Sequence, residues 1–421
     1  MKQDLVLITN FYPLGYGEAF IENEITFLHQ KFNKIIIISR SSYETNQTRS
    51  LPENTELLRL PPKSTFIKKI ILLPTFLNNI RLLLCIIKEE KAIIKTRYGL
   101  VPSLQHIKIM CHDALKALEI KYFINRNIKK LVSNEAILYS YWQNSSALAL
   151  ALLKKQNKNY TCICRAHGSD LYFSRHQSNY LPFRHYISKN LDLICFISEN
   201  GYKYQKKLLK QNYNSFIISK LGSLKIENRK NQKLKNIKVI VSCSSLVTVK
   251  RIDLLVKSLA EIDSEKIEWI HFGGGPLSTE IVQLATKLLG AKSNISFAFK
   301  GQVSNSVIHE YYAENKIDLF INVSSSEGIP VSIMEALSYG IPVLATDVGG
   351  NSEIVDKMCG RLIPKDCPPA KIALIIQQEL MKNKTEAAFQ KWNLEFNAIK
   401  NYPFFVNQVE LKLNENRRRI N

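Results

Sequence analysis

The sequence predicts an α/β protein with two doubly wound domains. Its 421 residues exceed what one ordinary hydrophobic core holds, so the length favours two domains. Short β-branched runs recur along the chain and alternate with longer segments of helical periodicity, which is typical of parallel sheets. These runs are continuously apolar, as expected of strands that helices cover on both faces.

Nine strands are predicted, five in the first half of the chain and four in the second. They are DLVLIT (4–9), KIIIIS (34–39), AILYS (136–140), YTCIC (160–164), LDLICFIS (191–198), IKVIVSC (237–243), IEWIHF (267–272), IDLFINV (317–323) and IPVLAT (341–346). The polar stretch 224–236, LKIENRKNQKLKN, separates the halves and is the predicted linker between a first domain at 1–223 and a second at 237–385. Ligands are expected at the carboxyl ends of the strands, in a cleft between the domains.

The composition is that of a folded protein, with 45% hydrophobic residues, and it excludes large-scale disorder. A net charge of +22 indicates attraction to nucleic acid, a phospholipid surface or phosphorylated small molecules, although most lysines are expected only to solvate the surface. The eight cysteines lack CxxC spacing and are expected to be buried thiols in a reducing compartment. The N-terminus lacks the apolar region of a signal peptide and no apolar run is long enough to span a bilayer, which favours the cytoplasm.

Residues 63–97 combine an apolar stripe with eight Lys or Arg and only two acids. The stripe consists of Phe66, Ile70, Leu73, Leu77, Leu84 and Ile87. Such a segment suits an anionic membrane surface. A pair of helices packed on the sheet and interrupted at Pro74 is an equal alternative. The RRR at 417–419 is a weaker indication of the same kind.

The stretch SSSEGIPVSIMEALSYGIPVLATDVGG, residues 324–350, carries the main candidate site. A loop after the strand IDLFINV leads into a helix predicted from Val331 to Tyr339, with Pro330 at its entrance and Gly340 at its exit. The N-terminus of a helix offers unpaired N–H groups and a positive dipole, which suit a phosphate. Glu327 precedes this anion site and Glu335 lies inside the helix. Because carboxylates accept hydrogen bonds from hydroxyls, the pattern favours a diphosphate with sugars at both ends, that is, a nucleotide sugar.

The E-x7-E pattern followed by EALSYGIPVLATDVGG resembles the donor site of the retaining GT-B glycosyltransferases of the GT4 type. The resemblance implies a GT-B fold, in which two Rossmann-like domains face each other across a cleft. It also implies that Glu327 contacts the transferred sugar and that Glu335 contacts the ribose, although for Glu335 alone a solvated helix acid is the alternative. The backbone of Gly328, Ile329 and Pro330 would hold the sugar and phosphate. Residues 386–421 resemble the closing helices that pack back towards the first domain in that family.

Two further segments of the second domain resemble the same family. In SCSSLVTVKRIDLL a loop after a strand carries Lys250 and Arg251, which places a cation where it could neutralise a diphosphate leaving group. The family's usual Arg five residues earlier is Ser245 here, which leaves open whether Arg251 replaces it. Gly273 and Gly274, in HFGGGP, resemble the family's glycine loop near the nucleotide; a plain strand-to-helix turn is the alternative.

The loop after the first strand contains Gly15 and Gly17, but the third glycine of a dinucleotide fingerprint would fall at Phe20, so that interpretation is weak. Glu18, Phe20, Ile21 and Glu24 instead form an E-x-F-I-x-x-E pattern. This pattern resembles the N-terminal loop of a GT4 branch that builds surface polysaccharides. The resemblance implies that Gly17 and Glu18 lie on the acceptor side.

The segment CRAHGSDLYF follows directly on a strand, so His167 is expected at the carboxyl end of that strand. Its context matches the first-domain histidine of the family, which lies over the donor sugar. Asp170 is expected either to cap the next helix or to orient the site. Ser198 is most simply a helix cap.

The resemblance implies transfer of a sugar from a nucleoside diphosphate to a glycan or lipid-linked acceptor hydroxyl, with retention of configuration. No D-x-D occurs in the chain, so no metal and no cofactor are expected. A GT-B-like nucleotide-sugar epimerase, which needs no acceptor, is the nearest alternative. A basic membrane- or nucleic-acid-binding protein without catalysis is another, although no basic stripe with interleaved aromatics supports nucleic acid.

Overall fold

The computed structural model describes residues 3–15, 18, 20–41, 49–61, 66–96, 98–128, 131–132, 135–211, 213–225 and 237–420, without the side chains of 66–76, 78 and 420. Gly17 and most of the predicted linker, 226–236, lie outside the described residues. The chain divides into two units. The first comprises Met1–Lys220 with Tyr402–Asn421, and the second comprises Leu221–Asn401.

The first unit is built on a parallel sheet of seven strands in the order β3-β2-β1-β4-β5-β6-β7. The strands are β1 (Leu5–Thr9), β2 (Ile35–Ser39), β3 (Thr55–Arg59), β4 (Ile137–Ser140), β5 (Thr161–Ala166), β6 (Leu193–Phe196) and β7 (Phe216–Ile218). The helices are α1 (Ile21–Lys31), α2 (Phe66–Thr96), α3 (Leu104–Phe123, with a π-helical extension Ile124–Ile128), α4 (Ser145–Gln156), α5 (Arg184–Asn190) and α6 (Glu199–Leu209). Chain order reverses at β1, which is the doubly wound arrangement predicted from the sequence.

The second unit repeats this plan with six parallel strands in the order β10-β9-β8-β11-β12-β13. The strands are β8 (Lys238–Cys243), β9 (Ile267–Phe272), β10 (Ile295–Phe299), β11 (Leu319–Asn322), β12 (Val343–Thr346) and β13 (Gly360–Ile363). The helices are α7 (Ile252–Ala260), α8 (Ser278–Leu289), α9 (Asn305–Glu314), α10 (Val331–Ser338), α11 (Asn351–Ile354), α12 (Pro369–Leu380) and α13 (Thr385–Glu395). The last helix, α14 (Ala398–Ile420), begins in this unit and belongs to the first unit from Tyr402 onwards. The sequence order again reverses at the first strand of the sheet, here β8.

The first sheet separates two hydrophobic clusters because successive residues of a strand face opposite sides. Val6 and Ile8 of β1 belong to the cluster that packs beneath α2 to α4, whereas Leu5 and Leu7 belong to the cluster on the other face. The second cluster includes Phe405 from α14, which explains why the end of the chain belongs to the first unit.

Several predictions need correction. Of the two alternatives for residues 63–97, the pair of helices interrupted at Pro74 is wrong, because α2 continues through Pro74 as one helix. Residues 386–421 were expected to pack back towards the first domain. Those from Tyr402 onwards belong to the first unit, whereas α13 packs on α10 and belongs to the second unit. The cysteines are not all buried, because Cys85 and Cys111 are exposed. In the described part of the chain no helix is long and apolar enough to cross a membrane.

Candidate functional site

Glu327 lies at the carboxyl edge of the second sheet, in the loop between β11 and α10. Its side chain is only 6% exposed, and Oε1 accepts a hydrogen bond of 2.6 Å from Nζ of Lys250. The same oxygen accepts a bond of 3.1 Å from Nδ2 of Asn322, the last residue of β11. The loop after β8 and the loop after β11 therefore bring the predicted acid and the predicted cation together.

The N-terminus of α10 begins four residues after Glu327. No side chain caps this helix, because its N-cap position is Pro330 and no side-chain hydrogen bond is made there. The first N–H groups of a helix have no intrahelical acceptor, so the amides of Val331 and Ser332 can bind an anion. Pro330 carries no N–H and can contribute only its carbonyl and its fixed backbone angle. A residue outside this loop holds Gly328 in place, since the Gly328 carbonyl accepts a hydrogen bond of 2.8 Å from the Gly350 amide.

Glu335 is 5% exposed on the inner side of α10. Its Oε1 accepts a bond of 3.2 Å from Nδ2 of Asn305 and lies 3.8 Å from Nε2 of His309. Burial lowers the pKa of His309 to about 4, so this imidazole is neutral near pH 7. The alternative of a solvated helix acid is therefore wrong, and the carboxylate is positioned by polar groups of α9.

Arg251 does not direct its guanidinium to the anion site. Its Nε and Nη1 each donate a bond of 2.7 Å, to the carbonyls of Val323 and Lys365, and Nη2 donates a bond of 3.4 Å to Ser324. These contacts fix the loop that follows β11. Since Arg251 is used structurally and Ser245 carries no charge, Lys250 is the cation that the loop after β8 places beside Glu327.

Gly273 and Gly274 begin the loop after β9, which runs against the loop after β8. Gly273 has φ of +129°, and a Cβ there would lie 1.9 Å from the carbonyl oxygen of Ser244. Gly274 has ordinary space, its Cβ position being 3.5 Å from the nearest atom, the amide of Gln302. The carbonyl of Gly274 accepts a bond of 2.9 Å from Leu246. The glycine at 273 is thus required for backbone packing, which favours a structural role in shaping this edge of the sheet.

His167 lies at the carboxyl end of β5 in the first unit, as predicted from the strand that precedes it. Its Nε2 is 3.1 Å from the carbonyl oxygen of Tyr141, so Nε2 carries the proton and Nδ1 the lone pair. The rings of Phe20, Tyr141 and Trp142 surround it. Burial lowers the pKa of His167 to about 3, helped by the positive charge of Arg165. The neutral imidazole can position a group through Nδ1, but it is a poor general acid near pH 7.

Asp170 does not cap the next helix. Its Oδ1 accepts a bond of 2.6 Å from the amide of His167, and Oδ2 accepts one of 2.5 Å from the amide of Gln143. Burial raises the pKa of Asp170 to about 7, against the opposing charge of Arg184. Of the two predicted roles, orientation of the site is the one that these contacts support, because Asp170 ties the loops after β4 and β5 together.

Glu18 is buried and its carboxylate is occupied by the loop that it belongs to. Oε2 accepts bonds of 2.7 Å from the amides of Phe11 and Tyr12, and Oε1 accepts bonds from the amide of Asn10 and from Nε1 of Trp142. Four donors saturate this acid, so it shapes the loop after β1 instead of offering a free carboxylate to an acceptor.

The second acid of the same pattern is also structural. Glu24 forms a buried ion pair of 3.0 Å with Nε of Arg165, and the hydroxyl of Tyr139 donates to Glu24 at 2.8 Å. The E-x-F-I-x-x-E pattern therefore joins the first loop and α1 to β4 and β5, next to His167.

Sequence reasoning missed Asn322, Asn305 and His309. A polar residue ending the apolar run IDLFIN was the available signal for Asn322, since strand ends in such sheets carry ligand contacts. No signal in the sequence relates Asn305 or His309 to Glu335, because that relation depends on how α9 packs against α10. Among the described residues no group of three His, Cys, Asp or Glu side chains could hold a metal ion.

Comparison with known proteins points to one family. Residues 225–393 match the family model described as glycosyl transferases group 1. The O-antigen biosynthesis glycosyltransferase WbnH of Escherichia coli is 28% identical over 234 residues, which cover 54% of this chain and 64% of that protein. The chain spans 35% to 64% of the length of the first curated relatives that it matches. The resemblance recognised in the second domain is confirmed by this match.

Solved structures match the whole chain in fold. The lipopolysaccharide outer core galactosyltransferase WaaB superposes with a TM-score of 0.62 at 13% identity, covering 97% of this chain and 99% of that one. Anabaena Alr3699/HepE, solved in complex with UDP and glucose, gives the same TM-score, identity and coverage. The prediction of a GT-B fold is confirmed.

Proposed function

We propose that this chain, whose second unit is a group 1 glycosyl transferase domain, transfers a sugar from a nucleoside-diphosphate sugar to an acceptor hydroxyl with retention of configuration. The observation that carries the proposal is the contact of 2.6 Å between Lys250 and Glu327 immediately before the uncapped N-terminus of α10. It places a cation, a carboxylate and unpaired amides around one point, which is what a sugar joined to a diphosphate requires.

In the proposed reaction the bond between the anomeric carbon and the β-phosphate oxygen breaks, and a bond from that carbon to the acceptor oxygen forms. The acceptor proton passes to the leaving diphosphate. Lys250 and the α10 amides stabilise the negative charge that develops on the leaving oxygen, as preorganised donors do in other active sites. Lys250 has three N–H donors, and its bond to Glu327 uses one of them.

Glu327 is proposed to hold hydroxyls of the transferred sugar and Glu335 those of the ribose. The backbone of Gly328, Ile329 and Pro330 is proposed to hold the sugar and phosphate. His167 is proposed to position the donor sugar from the first unit through Nδ1. Glu18 and Asp170 are proposed to shape the acceptor side indirectly, through the loops that they fix. Gly17, which directly precedes Glu18 in the sequence, remains a proposal from the sequence for the acceptor side.

The donor and acceptor classes are proposals drawn from the relatives. A UDP-sugar is the first candidate donor, because the neighbouring structure of HepE is solved with UDP and glucose. A glycan of a surface polysaccharide, carried on a lipid, is the first candidate acceptor, because WbnH is named for O-antigen biosynthesis. We accordingly propose a cytoplasmic location at the inner face of the plasma membrane, with neither metal nor nucleic acid as a partner.

The experiment is a thermal-shift screen of UDP- and GDP-sugars, followed by NMR of the product formed from the sugar that binds. A ligand at a hundred times its Kd should add about 2.7 kcal/mol of stability. Product with the anomeric configuration of the donor, formed at an undiminished rate in excess chelator, supports the proposal. Inverted product, or activity that chelator abolishes and manganese restores, would contradict it. Epimerisation of the donor without acceptor would favour the epimerase.

Glu327 gives the sharpest variant for this reaction. Glu327→Ala should abolish transfer while NDP binding persists, because the carboxylate is assigned to the sugar and Lys250 to the phosphate. Asp253→Ala is a suitable control, since this partly exposed acid of α7 forms an ion pair of 3.0 Å with Lys257. Transfer by Glu327→Ala at the wild-type rate would remove the assignment.

A further inference from the structure

The outer faces of α2 and α3 are cationic and apolar at once. On α2 the exposed positions of the described side chains recur at helical spacing and hold Leu77, Arg81, Leu84, Cys85, Lys88, Lys91, Ala92, Lys95 and Thr96. On α3 they hold Leu104, Gln105, Lys108, Cys111, His112 and Leu115. We call these positions, with Val101 from the connection between the helices, the α2–α3 face.

Charge on the α2–α3 face is mainly positive. Between residues 77 and 115 the charged residues that the described structure leaves exposed are the cations Arg81, Lys88, Lys91, Lys95 and Lys108. The acids in this range are fewer and only partly exposed or buried. Glu89 lies 3.7 Å from Nδ1 of His185 with 41% of its side chain exposed, and Asp113 lies 3.7 Å from Nδ1 of His112 with 26% exposed. Glu90 is buried, where it accepts bonds from the hydroxyl of Tyr180 and the amide of Phe183.

The apolar residues of the face are too exposed to belong to the core. Leu84 is 62%, Val101 84% and Leu104 78% exposed. The opposite sides of both helices are buried in the core. Leu83, Ile86 and Ile94 of α2 pack in the same hydrophobic cluster as Met110 and Ala114 of α3. The exposed leucines therefore contribute little to the hydrophobic core. Together with Val101 they are the apolar residues among the lysines of this face.

The connection between the helices brings the two stripes together. α2 ends at Thr96 and α3 begins at Leu104, and the amides of Tyr98 and Leu100 bond back to Ile93 and Ile94 at the end of α2. Lys91, Lys95, Val101, Leu104 and Lys108 consequently lie near one end of the helix pair. A cluster of lysines around protruding apolar side chains has the chemistry of a surface that binds anionic lipid headgroups and inserts apolar groups beneath them.

We infer that the α2–α3 face docks the protein on an anionic phospholipid bilayer. This inference rests on the proposed function, because a lipid-linked acceptor is reached only at a membrane. It adds the partner, an anionic bilayer, and the surface of the protein that binds it. Anionic lipid is favoured over nucleic acid because the cations alternate with aliphatic side chains, whereas single-stranded nucleic acid needs aromatic stacking platforms. Of the apolar stripe expected from the sequence, Leu77 and Leu84 are exposed on this face and Ile87 packs against the core. The side chains of Phe66, Ile70 and Leu73 lie outside the described residues, and Val101 and Leu104 extend the face beyond the stripe.

The test is sedimentation of the full chain with vesicles of phosphatidylcholine, with and without phosphatidylglycerol. We expect binding only to the vesicles that contain phosphatidylglycerol, and weaker binding as salt shortens the screening length. The combined variant Lys88→Gln, Lys91→Gln, Lys95→Gln should bind about 100-fold more weakly, at about five-fold for each lysine near the surface. The matched control Lys287→Gln, Lys357→Gln, Lys371→Gln removes the same charge from exposed lysines of the second unit and should bind as wild type does.

The apolar half of the face is tested separately. Leu84→Ser with Leu104→Ser should weaken binding about ten-fold, because insertion of apolar area is lost while the charge is kept. Leu374→Ser with Leu394→Ser removes equally exposed leucines of the second unit and should have no effect.

Three results would overturn the inference. They are equal binding to neutral and anionic vesicles, equal losses in the face variants and their controls, and lysine-dependent binding of duplex DNA without vesicle binding. Nucleotide binding is followed in parallel by thermal shift. Wild-type protein that binds its nucleotide but no vesicle refutes this inference alone, whereas protein that binds vesicles but no nucleotide refutes the proposed function alone.

Discussion

Lys250→Met is the most informative single change at the candidate donor site. Methionine keeps the length and apolar stem of lysine but removes the ammonium that lies 2.6 Å from Glu327. A hydrogen bond to a charged group contributes about 1.5–3 kcal/mol, so loss of the contact with a diphosphate should raise the Kd of the NDP about ten- to hundred-fold. The corresponding NMP lacks the β-phosphate, and its Kd should change less than about three-fold.

The same change should leave the protein folded. The Lys250 side chain is 24% exposed, and Glu327 keeps its bond to Asn322. Loss of such a partly exposed pair should cost about 1–2 kcal/mol, less than the stability of a typical domain.

Isothermal titration of wild type and Lys250→Met with NDP and NMP measures the effect directly. Lys257→Met is the matched control, because Lys257 lies on the adjacent helix α7 and pairs with Asp253 at the surface. Its Kd for NDP should be that of wild type. Equal loss of NDP and NMP affinity, or an unchanged Kd for NDP, would refute the placement of the phosphate beside Lys250.

Three further predictions follow from the described contacts. Glu335→Ala should raise the donor KM with little change in kcat, because the ribose contact is equally strong in the ground state and the transition state. Steady-state kinetics checks this, and a fall in kcat alone would contradict it. Gly273→Ala should lower the free energy of unfolding by more than about 3 kcal/mol, because its Cβ would meet the backbone of Ser244. Gly274→Ala should change it by no more than about 1 kcal/mol, and urea unfolding of both variants measures the difference. His309 is neutral when folded, with a pKa of about 4, and takes up a proton when unfolded below about pH 6.5, so its contribution to stability is lost as pH falls. The free energy of unfolding of His309→Gln should therefore rise by about 2 kcal/mol relative to that of wild type as the pH falls from 7 to 5. Parallel curves of unfolding free energy against pH would contradict this.

The strands show which part of the fold the sequence can predict. All nine predicted strands are present in the structure, and the four that were missed are β3, β7, β10 and β13. These are the outermost strands of the two sheets. An edge strand is covered less completely than a central one, so its sequence, such as TELLR in β3, lacks the continuous apolar run that identified the others. The helix α10 was predicted within one residue because Pro330 and Gly340 mark both of its ends.

The candidate site divides in the same way. The pairing of Glu327 with Lys250 was foreseeable because both follow parallel strands of one sheet and therefore meet at its carboxyl edge. The engagement of Arg251 with three carbonyls, and the saturation of Glu18 by four donors, depended on loop conformations that no periodicity encodes. Sequence patterns thus located the acids, while only the contacts distinguish a carboxylate that shapes a loop from one that stands at an anion site.

The proposed donor site requires that the amides before and at the start of α10 bind the donor diphosphate between Glu327 and Glu335. A crystal structure of the chain with the nucleotide selected by the thermal-shift screen tests it most directly. We expect phosphate oxygens within about 3 Å of the amides of Val331 and Ser332 and of Nζ of Lys250, with the ribose hydroxyls hydrogen-bonded to Glu335. A nucleotide bound elsewhere, with the bond between Lys250 and Glu327 unaltered and these amides without a phosphate, would contradict it.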